Sequence, residues 1–200
     1  MSDAAGERSG GRGARERILR TAVQLFARDG VQATGIAKLT ETAQVSTRTL
    51  YQHFASKDEL VRAYLERLES DGVLAAEASL EQAALSPRER ILGLFVEVAL
   101  DAAGTIRGCP LHNVTVEAAG TMPEATVLVE RHKQRFAKRL IETAAEAGAQ
   151  EPEVLGRRLA LIFEGARALS TSLNDTRPLR DGRDLAEALL DQATQGISVR

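Results

Sequence analysis

The chain has 200 residues, 44% hydrophobic, 27% charged and only 4% aromatic, a globular balance whose core must come mostly from Leu, Ala, Val and Ile. A net charge of −2 excludes a uniformly basic coat for nucleic acid, and a lone cysteine, Cys109, excludes an internal disulfide. No apolar run approaches the roughly 18 residues of a membrane span, and "MSDAAGERSGGRGARER" has no signal-like apolar stretch, so a cytoplasmic protein free of membranes is expected.

In chain order, residues 1–13 are Gly-, Ser- and Arg-rich without apolar periodicity and read as a flexible arm. Helix signals then recur and strand signals do not. Ile18, Ala22, Leu25 and Phe26 share one helical face, closed by "RDG" at 28–30. Thr34 is placed to cap a second helix with Ile36, Leu39 and Ala43 inward. Ser46 is placed to cap a third with Leu50 and Phe54 inward, and Ser56 with Glu59 forms a capping box for a fourth. Further boxes stand at Ser86–Glu89 and Thr121–Glu124. The segment "ILGLFVEVALDAAG" behind the first of these is apolar almost all round, so it is expected to be central. Two more helices are expected, from about Pro152 to Leu173 and from about Gly182 to Gln195. The predicted fold is all-α, with an arm (1–13), a three-helix head (14–60) and a helical body (61–200). Residues 1–62 hold 10 Lys and Arg against 7 Asp and Glu, and the rest 16 against 21, a mildly basic head on an acidic body.

The short connection "AQVS" makes the second and third helices a helix-turn-helix, whose second member can lie in a DNA major groove. With Leu50 and Phe54 inward, Thr47 and Tyr51 form one outward pair at a spacing of four, and Arg48 and Gln52 another. Arg can bind guanine O6 and N7, and Gln adenine N6 and N7. Tyr51, His53 and Ser46 can reach phosphates, and Lys57 in the first turn of the next helix completes a phosphate clamp. Arg8, Arg12, Arg15 and Arg17 read either as minor-groove or phosphate contacts or as a solvated tail.

The stretch "RERILRTAVQLFARDGVQATGIAKLTETAQVSTRTLYQHFASKDELVRAYLE", above all "TLYQHFASKDEL", resembles the DNA-binding domain of the tetracycline-repressor-like (TetR) regulators. The resemblance covers about a quarter of the chain. It implies a homodimer that binds a palindromic double-stranded operator, most often as a repressor, and lets go when a small-molecule effector enters the C-terminal domain. It also implies that Thr34, Thr47, Tyr51, His53 and Lys57 touch DNA. Two positions depart from the family pattern: Gln44 stands where the turn often has Gly, and Arg48 stands where the recognition helix often has Gly.

In the body, Leu155, Leu159, Ile162, Ala166, Leu169 and Leu173 recur at spacings of three and four, a seam for a partner helix or for packing within the chain. With the resemblance, the seam is expected at the dimer interface, with Gly165 and Ala166 allowing close approach. Phe95, His112, Asn113, Glu117 and His132 are the candidates for an effector pocket, although His132 lies on the apolar stripe Leu128–His132–Phe136–Leu140 and reads equally as a core residue. Cys109 and His112 have half the spacing of a metal site with no second half, so no metal or cofactor is expected and Cys109 reads as a buried thiol. No phosphate loop or Ser/His/Asp set points to an enzyme. The remaining alternative is a helical interaction module whose helix-turn-helix binds a protein.

Overall fold

The computed structural model of the protein describes residues 6–71, 77–95, 104–118 and 120–194. Among them every regular element is helical: α1 (Gly6–Asp29), α2 (Ile36–Ala43), α3 (Thr47–His53), α4 (Lys57–Ser70), α5 (Pro87–Leu92), α6 (Pro110–Glu117), α7 (Pro123–Glu146), α8 (Pro152–Leu173) and α9 (Arg177–Thr194). Short 3-10 turns at Glu77–Glu81 and Gly93–Phe95 flank α5. Most of the strongly apolar segment after Phe95 lies outside the described residues, but Ile91, Leu94 and Phe95 at its start are buried as expected.

The chain divides into two compact units, one of Met1–Asp71 with Pro110–Val129 and one of Gly72–Cys109 with Glu130–Arg200. These limits differ from divisions after residues 13 and 60. Helix α1 already begins at Gly6, inside the segment expected to be an arm, because adding residues to an established helix costs far less than nucleating one. The first unit also takes in α6 and α7 as far as Val129.

In the first unit, Ile18, Ala22, Leu25 and Phe26 of α1 are buried with Leu39 of α2, Leu50 of α3, and Leu60, Val61 and Leu65 of α4. Phe54, just past the end of α3, is fully buried, and the Phe26 and Tyr64 rings meet edge-on at 5.3 Å. Gly30 ends α1 at φ +86, where a side chain would be strained. Ser46 and Ser56 cap α3 and α4 by accepting the Thr49 and Glu59 amides, both at 3.0 Å. Glu59, however, reaches back to the amide of Ala55 rather than of Ser56.

Two expected caps are corrected. Thr34 does not cap α2. Gly35 occupies the cap position, and the Thr34 hydroxyl donates backwards to the Gly30 carbonyl at 2.7 Å. Thr121 likewise donates to the Ala118 carbonyl, and the first amides of α7, Glu124 and Ala125, are bound instead by the Asp58 carboxylate of α4 at 3.0 and 3.1 Å. Both threonines find a carbonyl left free by the preceding helix end.

The second unit is built around Leu80, Ile91, Leu94, Phe95, Phe136, Leu140, Leu155, Leu159, Phe163, Ala186 and Leu190. Ser86 and Glu89 form the complete capping box expected for α5. The seam expected between protomers splits. Leu155, Leu159 and Ala166 are buried in the chain's own core, Ile162 is half-buried, and only Leu169 and Leu173 face outward. A stripe at spacings of three and four marks the face a helix buries, and here α7 and α9 of the same chain occupy it. The close approach is at Gly156, where a Cβ would lie 2.8 Å from the Ile141 backbone, whereas Gly165 faces open space. The outward face of α8 carries Leu161, Leu169 and Leu173, all more than half exposed, and Leu185 of α9 is also exposed.

Candidate nucleic-acid interface

Helix α3 exists because Ser46 caps it and because Leu50 and Phe54 anchor it where it packs on α1 and α2. Those two anchors fix its rotation. Thr47, Arg48, Tyr51 and Gln52 are consequently exposed together with Ser46, and His53 is half-buried. Tyr51 leaves 47% of its surface to solvent on this face. The guanidinium of Arg15 on α1 lies over the Phe54 ring, 4.9 Å from its centroid, which draws one of the N-terminal arginines to the end of α3.

The turn before α3 is held by Gln44 in the left-handed conformation, φ 53 and ψ 50, and its amide bonds the Glu41 carbonyl. Thr34 is fully buried and so is removed from any DNA-facing surface. Its hydroxyl is spent on closing the α1–α2 turn.

Lys57 opens α4 beside the α3 end. Burial pushes its ammonium below the ordinary lysine value, against the opposing pull of the Glu117 carboxylate. Glu117 is the last residue of α6, and its side chain accepts the Gln32 amide at 2.9 Å. The Gln32 side chain in turn donates to the Glu117 carbonyl, also at 2.9 Å, and to the Thr121 hydroxyl. The α1–α2 loop thus holds the C-terminal end of α6, while Asp58 holds the start of α7, and Arg62 bonds Glu124 at 3.1 Å. Gln32 and Asp58 gave no signal in the sequence, since their partners lie 66 to 89 residues away.

The effector candidates fall in two places. His112, Asn113 and Glu117 belong to α6 in the first unit, with His112 exposed. Phe95 and His132 belong to the second unit and are both buried. The Phe95 ring meets Phe163 at 5.7 Å, and His132 Nε2 shares a 2.8 Å hydrogen bond with Glu77. Cys109 is buried. Among the described residues no three His, Cys, Asp or Glu side chains are grouped to hold a metal ion, and no helix is long and apolar enough to cross a membrane.

An all-helical chain with a capped, outward-facing second helix of a helix-turn-helix defines the class of helix-turn-helix regulators. Residues 18–64 match the family model described as "Bacterial regulatory proteins, tetR family". A putative TetR transcriptional regulator of Streptomyces avermitilis shares the fold at a TM-score of 0.71 and 32% identity, over 87% of this chain and 98% of that one. SCO4454, a TetR-family regulator of Streptomyces coelicolor, matches at a TM-score of 0.75 and 26% identity over 92% and 97%. The chain belongs to the TetR family, a family of transcriptional regulators and not of enzymes. Among curated relatives, the transcriptional repressor KstR2 of Mycobacterium tuberculosis is 34% identical over 41% of this chain, but the matched segment is only 40% of that repressor's length. The repressor DhaR of a Mycobacterium species is 23% identical over 92% of this chain and 96% of its own.

Proposed function

We propose that the protein is a cytoplasmic transcriptional repressor that binds a palindromic operator as a homodimer and is released by a small-molecule effector. The observation that carries this reading is the single exposed face of α3, where Thr47, Arg48, Tyr51 and Gln52 stand with base-reading and phosphate-binding groups side by side. The Ser56-capped start of α4 with Lys57 supplies a phosphate site next to it. The repressor activity named for KstR2 and DhaR supports the direction of regulation.

A dimer is supported by the outward leucines of α8 and α9. Leu161, Leu169 and Leu173 follow one helical face with Gly165 between them, a surface suited to a second copy of the same helices. Two recognition helices so joined must stand about 34–36 Å apart to enter successive major grooves. An effector acts by preferring the state in which they do not, and a coupling of about 1–3 kcal/mol changes operator affinity roughly 5- to 150-fold. The hydrogen bonds of Gln32 and Asp58 to α6 and α7 are the contacts through which such a change reaches α1 and α4.

Selection from a random duplex pool at stated salt tests the reading. A palindrome with half-sites about one helical turn apart is expected. No enriched motif, with retention that stays weak and sequence-independent, would instead favour a protein-binding module.

A further inference from the structure

Arg167 is a buried cation that the DNA-binding reading leaves unused. It lies on the inner face of α8, 9% exposed, with its guanidinium over the Phe163 ring at 5.3 Å. Its Nε and Nη1 atoms are buried, and among the described residues no acceptor bonds them. Ser170, one turn along the same face, is fully buried with its hydroxyl equally unbonded. Buried donors in native proteins are nearly always paired, and a guanidinium cannot escape the cost by losing its proton. The Phe163 face offsets part of that cost but offers no lone pair to the N–H groups. Other arginines of the unit do have carboxylates: Arg90 pairs with Glu146, Arg139 with Glu81, and Arg88 with Glu187 and Asp191.

The surroundings are aromatic and apolar. Phe95 and Phe136 meet Phe163 at 5.7 and 5.4 Å, a buried cluster of three rings beside the guanidinium. Lys133 bonds Glu164 as Phe136 meets Phe163, so α7 and α8 run antiparallel and His132, a turn before Phe136, is level with Arg167. His132 holds one oxygen of Glu77, and the other is buried with no donor among the described residues.

Resting on the effector-responsive reading above, we propose that Arg167 and Ser170 receive the carboxylate of an apolar monoacid whose hydrocarbon or aryl body lies against the Phe95, Phe136 and Phe163 rings. Arg suits this role because its guanidinium is always charged and donates strong, charge-assisted hydrogen bonds to a carboxylate.

The test is calorimetric titration of the full chain with phenylacetate, benzoate and octanoate, each beside its neutral amide. At least one acid is expected to bind, with its amide at least about tenfold weaker. Arg167→Gln is expected to weaken the acid about 10- to 100-fold, and Ser170→Ala several-fold. Arg167→Met is expected to raise the unfolding midpoint of the ligand-free chain, because it removes a buried cation whose Nε and Nη1 find no acceptor among the described residues. No acid binding, equal binding of acid and amide, or a lowered midpoint in Arg167→Met would each overturn the proposal. An acid that binds through Arg167 without loosening the selected operator would support the site and sink the effector role.

Discussion

Gln44 holds a left-handed backbone at the turn of the helix-turn-helix, where a side chain costs about 1 kcal/mol relative to glycine. Gln44→Gly is therefore expected to stabilise the chain by up to about 1 kcal/mol in urea unfolding. Destabilisation would mean that the Gln44 side chain holds the turn in some other way. This position was legible in the sequence because the family pattern places glycine there. Thr34 was not. A threonine just before a helix can bond forward to an amide or back to a carbonyl, and only the fold, by leaving the Gly30 carbonyl free, decides between them.

At the scale of elements, the caps that could be read were those closed within three residues: Ser46, Ser56 and Ser86. The start of α7 escaped because its cap comes from Asp58, 66 residues earlier. Asp58→Ala is expected to cost about 1 kcal/mol, as for the loss of a helix cap, with Asp58→Asn recovering part of it. Equal stability of all three proteins would show that water serves the α7 amides as well. The Arg90–Glu146 pair, between α5 and α7, gives a pH signature. Its hydrogen bond with Arg90 holds the Glu146 carboxyl below the ordinary value of 4.5. The folded chain then binds that proton more weakly than the unfolded chain. The pair's contribution is complete above about pH 4.5 and is lost as pH falls below it. The carboxylate is 44% exposed, so the contribution is modest. Glu146→Gln is expected to cost about 1 kcal/mol near neutrality, with the gap to the parent chain narrowing below pH 4.5 in pH-resolved unfolding. A gap that stays constant with pH would contradict it.

For the whole molecule, the all-helical class and the limits of α8 followed from capping and periodicity, since both are local. The partner of each apolar face is not local, which is why Leu155, Leu159 and Ala166 were expected outside and lie inside. Leu161, Leu169 and Leu173 are instead the leucines of α8 left open to a second copy. Leu169→Glu is expected to yield a folded monomer in sedimentation analysis. Leu159→Ala should instead lose about 2–5 kcal/mol of stability without a selective effect on assembly. A dimer that withstands Leu169→Glu would place the interface elsewhere.

In the proposed complex α3 reads bases while the start of α4 grips the backbone. The most direct measurement compares Arg48→Ala and Lys57→Ala on the selected operator and on single-base variants of it, across salt. Arg48→Ala is expected to relax preference at one position per half-site, at a cost of about 1–3 kcal/mol, and Lys57→Ala to weaken all sequences alike with a shallower salt slope. Unchanged sequence preference in Arg48→Ala, or unchanged operator affinity in both variants, would contradict the assignment of α3 as the reading helix.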